Sequence, residues 1–263
     1  MVITFSSLKG GVGKTTNAIL AANNLAARGY KVLFFDLDTN NSGTMFYTQG
    51  IPNIIETIEE KNVFEALSHN NIEKYSVESR IENVDIIPSH LNIFKLRGIG
   101  YNELQKTIKS VGDRYDYIVI DTAPTYDNLV INALLASDII LTPIKFSSFD
   151  YTTSKFLEKQ LVDDCSGQLE KWYLLYSDFQ QKFANLETSP QMQFVKFFEK
   201  NFSNILKVYI PRTEAASRYT QMDERLSVTA KNPTTAKKLA EEVNKLVDML
   251  TGEKTTEHWA EKF

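Results

Sequence analysis

A mixed α/β fold, built on a mostly parallel twisted sheet with helices on both faces, is what this 263-residue chain predicts. Three observations lead there. Short β-branched runs alternate with stretches of helical period along most of the sequence. Several of these runs are apolar at consecutive positions rather than at every second one, as strands buried on both faces require. The first of them, Val2-Ile-Thr-Phe5, leads directly into a glycine-rich turn that opens an Ala-rich helical stretch.

Taken in order, the first strand is Val2–Phe5, and the helix after the turn is Thr15–Arg28, stopping at Gly29 as a glycine just past a helix end. Strands follow at Val32–Phe35 and Val84–Ile87, and one helix is expected over Leu91–Val111. Tyr117–Ile120 is the next strand, then a helix at Asn128–Ala136, a strand at Ile139–Thr142 and a helix at Thr152–Asp163. The series ends with strand Tyr173–Tyr176, helix Ser189–Phe202, strand Leu206–Ile210 and helix Pro233–Leu250, whose proline suits a first helical position. One sheet uses the full length, so residues 1–250 are expected to form a single domain and 251–263 a C-terminal tail.

Composition sets the outer bounds. The chain is 43% hydrophobic and 24% charged, ordinary for a soluble globular protein. No run approaches the roughly 18–20 apolar residues of a membrane span, and no basic-then-apolar leader opens the chain. Cys165 is the only cysteine, which rules out an intrachain disulfide and fits a reducing compartment, so a cytoplasmic location is expected. His69, His90 and His258 show no metal-ligand spacing. The net charge of −4 is not that of a dedicated nucleic-acid binder. Lys196 to Lys245 nevertheless holds ten Lys/Arg against six Asp/Glu. Such a segment is either a local phosphate-binding surface or a solvated helix face of mixed charge.

The turn reads Lys9-Gly10-Gly11-Val12-Gly13-Lys14-Thr15-Thr16. A strand feeding such a loop into a helix is a phosphate cradle: backbone N–H groups turn inward, the helix N-terminus adds partial positive charge, and glycine lets the backbone approach the anion. Lys14 would neutralise the β- and γ-phosphates and the Thr15 hydroxyl would ligate Mg²⁺. Two later strands end in aspartate: Val-Leu-Phe-Phe-Asp36-Leu-Asp38, and Tyr-Ile-Val-Ile-Asp121-Thr-Ala-Pro124. Beside a phosphate loop, these carboxylates are candidates for holding Mg²⁺ and water.

Leu8 stands where the general phosphate-loop pattern has glycine, and Lys9 adds a second lysine at the head of the loop. In this the chain resembles the ParA/MinD class of deviant Walker A ATPases, within the P-loop NTPase type of fold. The Asp36–Asp38 segment is similar to that family's A′ box, and Tyr117–Pro124 to its Walker B strand and following switch. The resemblance implies an ATP-hydrolysing, Mg²⁺-dependent enzyme that is a homodimer in the ATP state. Lys9 would reach across the dimer to the partner's nucleotide, Lys14 would hold the phosphates, and Asp38 would orient the attacking water. Nucleotide would lie on residues 9–16, with Pro211 and Arg212 against adenine. Thr15, Asp36 and Asp121 would serve the metal.

The implied function is partition of plasmid or chromosome: non-specific DNA binding, a nucleoid-associated location, and a ParB-type partner that stimulates hydrolysis. Candidate DNA contacts are Arg212, Arg218, Arg225, Lys237 and Lys238. The start at Met1 implies a member lacking the N-terminal helix-turn-helix domain of larger relatives. The lone cysteine sets the chain apart from the cluster-binding relatives, which use paired cysteines. Thr39-Asn40-Asn41-Ser42 departs from the Pro-Gln-Gly-Asn that often follows the A′ aspartate. Alternatives are a MinD-like membrane-cycling ATPase, or a ParA-like ATPase that positions a protein cargo on the nucleoid. The tail, with Trp259 and Phe263 among several acidic residues and no basic face, argues against membrane binding.

Overall fold

The computed structural model describes residues 1–222 and 233–253 of the chain. Eight strands form one sheet: β1 (Val2–Phe5), β2 (Val32–Leu37), β3 (Val77–Glu78), β4 (Val84–Ile87), β5 (Tyr117–Thr122), β6 (Ile139–Ile144), β7 (Trp172–Phe179) and β8 (Ile205–Pro211). Their spatial order is β3-β4-β2-β5-β1-β6-β7-β8, parallel throughout except for the short antiparallel edge strand β3. All seven strands expected from the sequence are present, and β3 is the addition.

The helices are α1 (Lys14–Ala27), α2 (Ser42–Thr48), α3 (Ile54–Glu60), α4 (Val63–Ser68), α5 (Ile72–Tyr75), α6 (Glu103–Lys109), α7 (Asn128–Ala136), α8 (Ser148–Asp164), α9 (Pro190–Asn201), α10 (Glu214–Met222) and α11 (Pro233–Thr251). The alternation of the strands decides what each layer meets. Ile3, Phe5 and Phe34 point to one face and pack with α1, α2, α10 and α11, while Leu33, Phe35, Ile118 and Ile120 point to the other and pack with α4, α6 and α7. A third cluster joins β6 and β7 to α8 and α9 around Trp172, Tyr176 and Phe198. Complete burial on both faces explains the unbroken apolar runs.

Two sequence expectations need correction. Leu91–Val111 is not one helix: a 3₁₀ stretch covers Leu91–Gly98, and α6 begins only at Glu103. Gly98 and Gly100 disfavour continuous helix there, and Asn102 takes a left-handed φ of 76° before α6 starts. The helix expected from Thr152 starts at Ser148, because the Ser147 hydroxyl accepts from the Asp150 N–H and caps it. Residues 42–75, for which the sequence gives no periodic signal, hold four short helices, each under two full turns. The glycine stop of α1 is as expected, with Gly29 at φ 94° and its N–H on the Ala26 carbonyl at 2.9 Å. Of the expected tail, only residues 251–253 are described. Among the described residues, no helix is long and apolar enough to cross a membrane.

Candidate nucleotide site

The site begins where β1 ends. Gly11 and Gly13 take positive φ of 72° and 97°, so the chain turns back on itself and enters α1 through a left-handed N-cap. At Gly13 a Cβ would meet the Ser177 hydroxyl at 2.9 Å. The first turn of α1 has no side-chain cap and no acidic residue, whereas Asp127, Ser147 and Ser189 cap α7, α8 and α9. Its N–H groups are therefore left for an anion. Lys14, 6% exposed, lies in the loop with its ammonium on the Lys9 carbonyl at 3.4 Å. Desolvation lowers its pKa, against the opposing pull of Asp121 and Asp38.

Parallel pairing sets the acids beside the loop. Asp36 on β2 stands in register with Asp121 on β5, and Asp121 in register with Phe5 on β1, the strand that feeds the loop. Both aspartates are fully buried. Asp36 is heavily engaged: Oδ2 accepts from the Thr44 N–H at 2.7 Å and the Thr44 hydroxyl at 2.8 Å, and Oδ1 from the Asp38 N–H at 3.1 Å. Burial nevertheless pushes Asp36 up to about 6, only partly offset by those bonds. Neither oxygen of Asp121 has a hydrogen-bond partner within 3.5 Å, and the Thr15 hydroxyl acts on it only from beyond that range. Burial first, then the charge of Asp36, holds its pKa well above the ordinary carboxylate value, while the Thr15 hydroxyl and Lys14 act in the opposite direction. Asp38, 7% exposed, lies just beyond β2, its Oδ1 accepting from the Asn40 N–H at 3.0 Å.

A buried, unpartnered carboxylate beside two others fits a divalent cation, which would relieve the shortage of positive charge. The protein alone does not supply a metal cage, since no group of three His, Cys, Asp or Glu is placed to hold an ion among the described residues. Mg²⁺ keeps water and phosphate ligands and takes one or two from protein. Thr15 and Asp121 have the chemistry for it. Asp36, with both oxygens already accepting, suits support of the surrounding shell better than direct ligation.

On the other side of β1, a cavity of about 690 Å³ runs from Gly11, Gly13 and Thr16 to Ser177, Asp178, Pro211 and Arg212. The loop and the Pro211–Arg212 turn, some 200 residues apart in sequence, thus face one cavity. Asp178, which the sequence did not single out, holds the rim with Lys145 at 3.2 Å and Arg212 at 3.7 Å. Ser147 and Asp150 were also missed as site residues, since Ser-x-x-Asp marks only a helix start. They hold the Lys9 ammonium, at 3.0 and 2.7 Å.

The candidate DNA contacts do not converge on this site as a set. Arg212 lies at the cavity rim, Arg218 is within 3.8 Å of Glu214, and Lys238 pairs with Glu242 at 3.2 Å and Glu241 at 3.4 Å. Lys237 is exposed on α11, and Arg225 lies outside the described residues.

Residues 1–162 match a family model described as "AAA domain". An uncharacterized protein of Methanocaldococcus jannaschii, MJECL24, is 35% identical over 81% of this chain and 85% of its own. The sporulation initiation inhibitor protein Soj of Bacillus subtilis is 31% identical over 80% and 84%. Among solved structures, a plasmid partition protein of Borrelia burgdorferi superposes with a TM-score of 0.72 at 25% identity, covering 96% of this chain and 98% of that one.

Proposed function

The chain belongs to the AAA domain family and is a ParA-type ATPase, and from that premise we propose that it dimerises around ATP, binds DNA without sequence preference, and segregates a plasmid or chromosome with a ParB-type partner. The observation that carries this reading is the meeting of Lys14, Asp36, Asp38 and Asp121 at the C-terminal ends of three neighbouring central strands, with the second lysine, Lys9, in the same loop.

Hydrolysis of a phosphoanhydride asks the protein mainly for position and charge. The loop amides and the α1 N-terminus hold the phosphates. Lys14, already short of solvent, gains a multiply charged anion in place of a neutral carbonyl. Thr15 and Asp121 would hold Mg²⁺, which would neutralise phosphate charge. Asp38, just past the strand end, orients water toward the terminal phosphate. Adenine occupies the cavity between the loop and the Pro211–Arg212 turn. Lys9 serves the nucleotide of the partner subunit, so the dimer is stable only while both triphosphates are intact. DNA binding then needs two copies, which doubles a surface too weak singly. A cytoplasmic, nucleoid-associated protein is the setting this implies.

The test is duplex DNA binding by fluorescence anisotropy at several salt concentrations, with ATP and with ADP. If three phosphate contacts form per subunit, the log–log salt slope in ATP is about −5. A slope near zero, or equal affinity in ADP, removes DNA from the proposal while leaving the ATPase.

A further inference from the structure

Lys9, expected to serve a second subunit, is held within its own chain. Its ammonium donates to Asp150 Oδ2 at 2.7 Å and to Ser147 Oγ at 3.0 Å. The two partners differ in exposure: the Lys9 side chain is 29% exposed and that of Asp150 only 1%. Asp150 is itself fixed by the start of α8. Its Oδ1 accepts from the Lys145 N–H at 3.2 Å, and its own N–H donates to the Ser147 hydroxyl. The Lys9 main chain is engaged too, since its carbonyl accepts from Lys14. Both lysines of the loop are therefore satisfied inside one subunit.

We propose that Asp150 is a positioning residue for Lys9: it retains the ammonium in its own subunit, and assembly requires that this pair be broken. The proposal rests on the reading above, in which Lys9 serves the partner's nucleotide. Withdrawing Lys9 strands a buried carboxylate, which is costly unless the lysine gains a stronger anion elsewhere. A triphosphate offers that anion. It also draws Lys14 off the Lys9 carbonyl, which frees the main chain on which Lys9 must move. The pair thus sets a threshold, and a chain without triphosphate stays closed on itself.

The test is the dimer dissociation constant by sedimentation velocity, using the full chain with a non-hydrolysable ATP analogue and Mg²⁺. Asp150→Asn keeps the shape and the acceptor for Lys145 while removing the charge. It is expected to tighten the dimer about tenfold, the scale of a charge-assisted contact released once per subunit. Asp150→Glu, which keeps the charge, should return the constant toward wild type. In a Lys9→Ala background the Asn substitution should change it less than about twofold, because a contact already absent has no coupling left to lose. Should Asp150→Asn fold poorly, Ser147→Ala removes the second Lys9 partner and should tighten the dimer to a smaller degree. Unchanged or weaker assembly in both variants overturns the proposal, as does an equal gain with Lys9 removed. If Lys9→Ala by itself dimerises like wild type, the cross-subunit reading fails first and the proposal with it.

Discussion

Beside β1, Asp121 buries two carboxylate oxygens without a hydrogen bond while Asp36 sits against it in register. Beyond β7, cations meet acids of their own chain: Arg212 with Asp178, Lys238 with Glu241 and Glu242, Lys245 with Glu242 at 2.7 Å. The first region carries an electrostatic cost that a proton or a bound cation relieves. The second is nearly self-satisfied: the buried Glu242 is paired with two lysines and the Tyr209 N–H, and the more exposed Arg212–Asp178 pair is of the kind that contributes about 0–1 kcal/mol. A buried charge left unpaired is therefore the better guide to where a ligand acts, and basic residues on a helix are the weaker one.

The sharpest way to break this contrast is Lys14→Ala. It should weaken ATP binding by about 10²–10³-fold, the loss expected for a desolvated charge-assisted contact to phosphate, read by titration with a fluorescent ATP analogue. Affinity retained within a few-fold would take the triphosphate away from the loop. Next in size, Asp38→Ala should lower kcat by about 10²–10³-fold, within the range for a positioned proton acceptor, while ATP affinity stays close to wild type. Steady-state hydrolysis and binding measured on the same preparation separate the two effects, and an unchanged kcat would assign water orientation to another group.

A third measurement uses pH. Burial raises Asp36 to about 6 in the folded chain, above its ordinary value, and raises Asp121 as well. The folded state thus holds these protons more tightly than the unfolded state. The Asp36 contribution to stability is fully present below about pH 4 and is lost as pH rises through about 6, and Asp121 acts with the same sign. A divalent cation replaces the protons, so the gain in Tm on adding Mg²⁺ and ADP should be larger at pH 7.5 than at pH 5, and Asp36→Asn should flatten that difference. Thermal melts at the two pH values check it, and a gain that shrinks toward neutral pH would count against the metal assignment. The smallest effect belongs to the second region. Each of Arg218, Lys237 and Lys238 changed to Ala should reduce the salt slope of DNA binding by about one if it meets a phosphate. No change for all three would leave this surface as solvated helix.

Legibility in the sequence followed distance along the chain. The seven main strands and the end of α1 at Gly29 are local patterns, and each stands where expected. The acids Asp36, Asp38 and Asp121 were legible because each ends an apolar run, and parallel pairing then set two of them side by side. Short helices such as α4 and α5 gave no periodic signal, since one turn and a little more cannot establish a period. Asp150 and Asp178 were not legible as site residues, because an isolated aspartate announces nothing until its neighbours are known.

By itself the sequence determined the layered parallel sheet, the glycine loop and the carboxylates at the strand ends, since β-branched runs, glycine and strand alternation act over a few residues. Tertiary structure alone decided that Gly13 must leave room for Ser177, that Thr44 binds Asp36 while Asp121 goes without, and that Lys9 turns back to Asp150. Those outcomes depend on which charges share a low-dielectric interior, and that is fixed only when segments distant in sequence pack together.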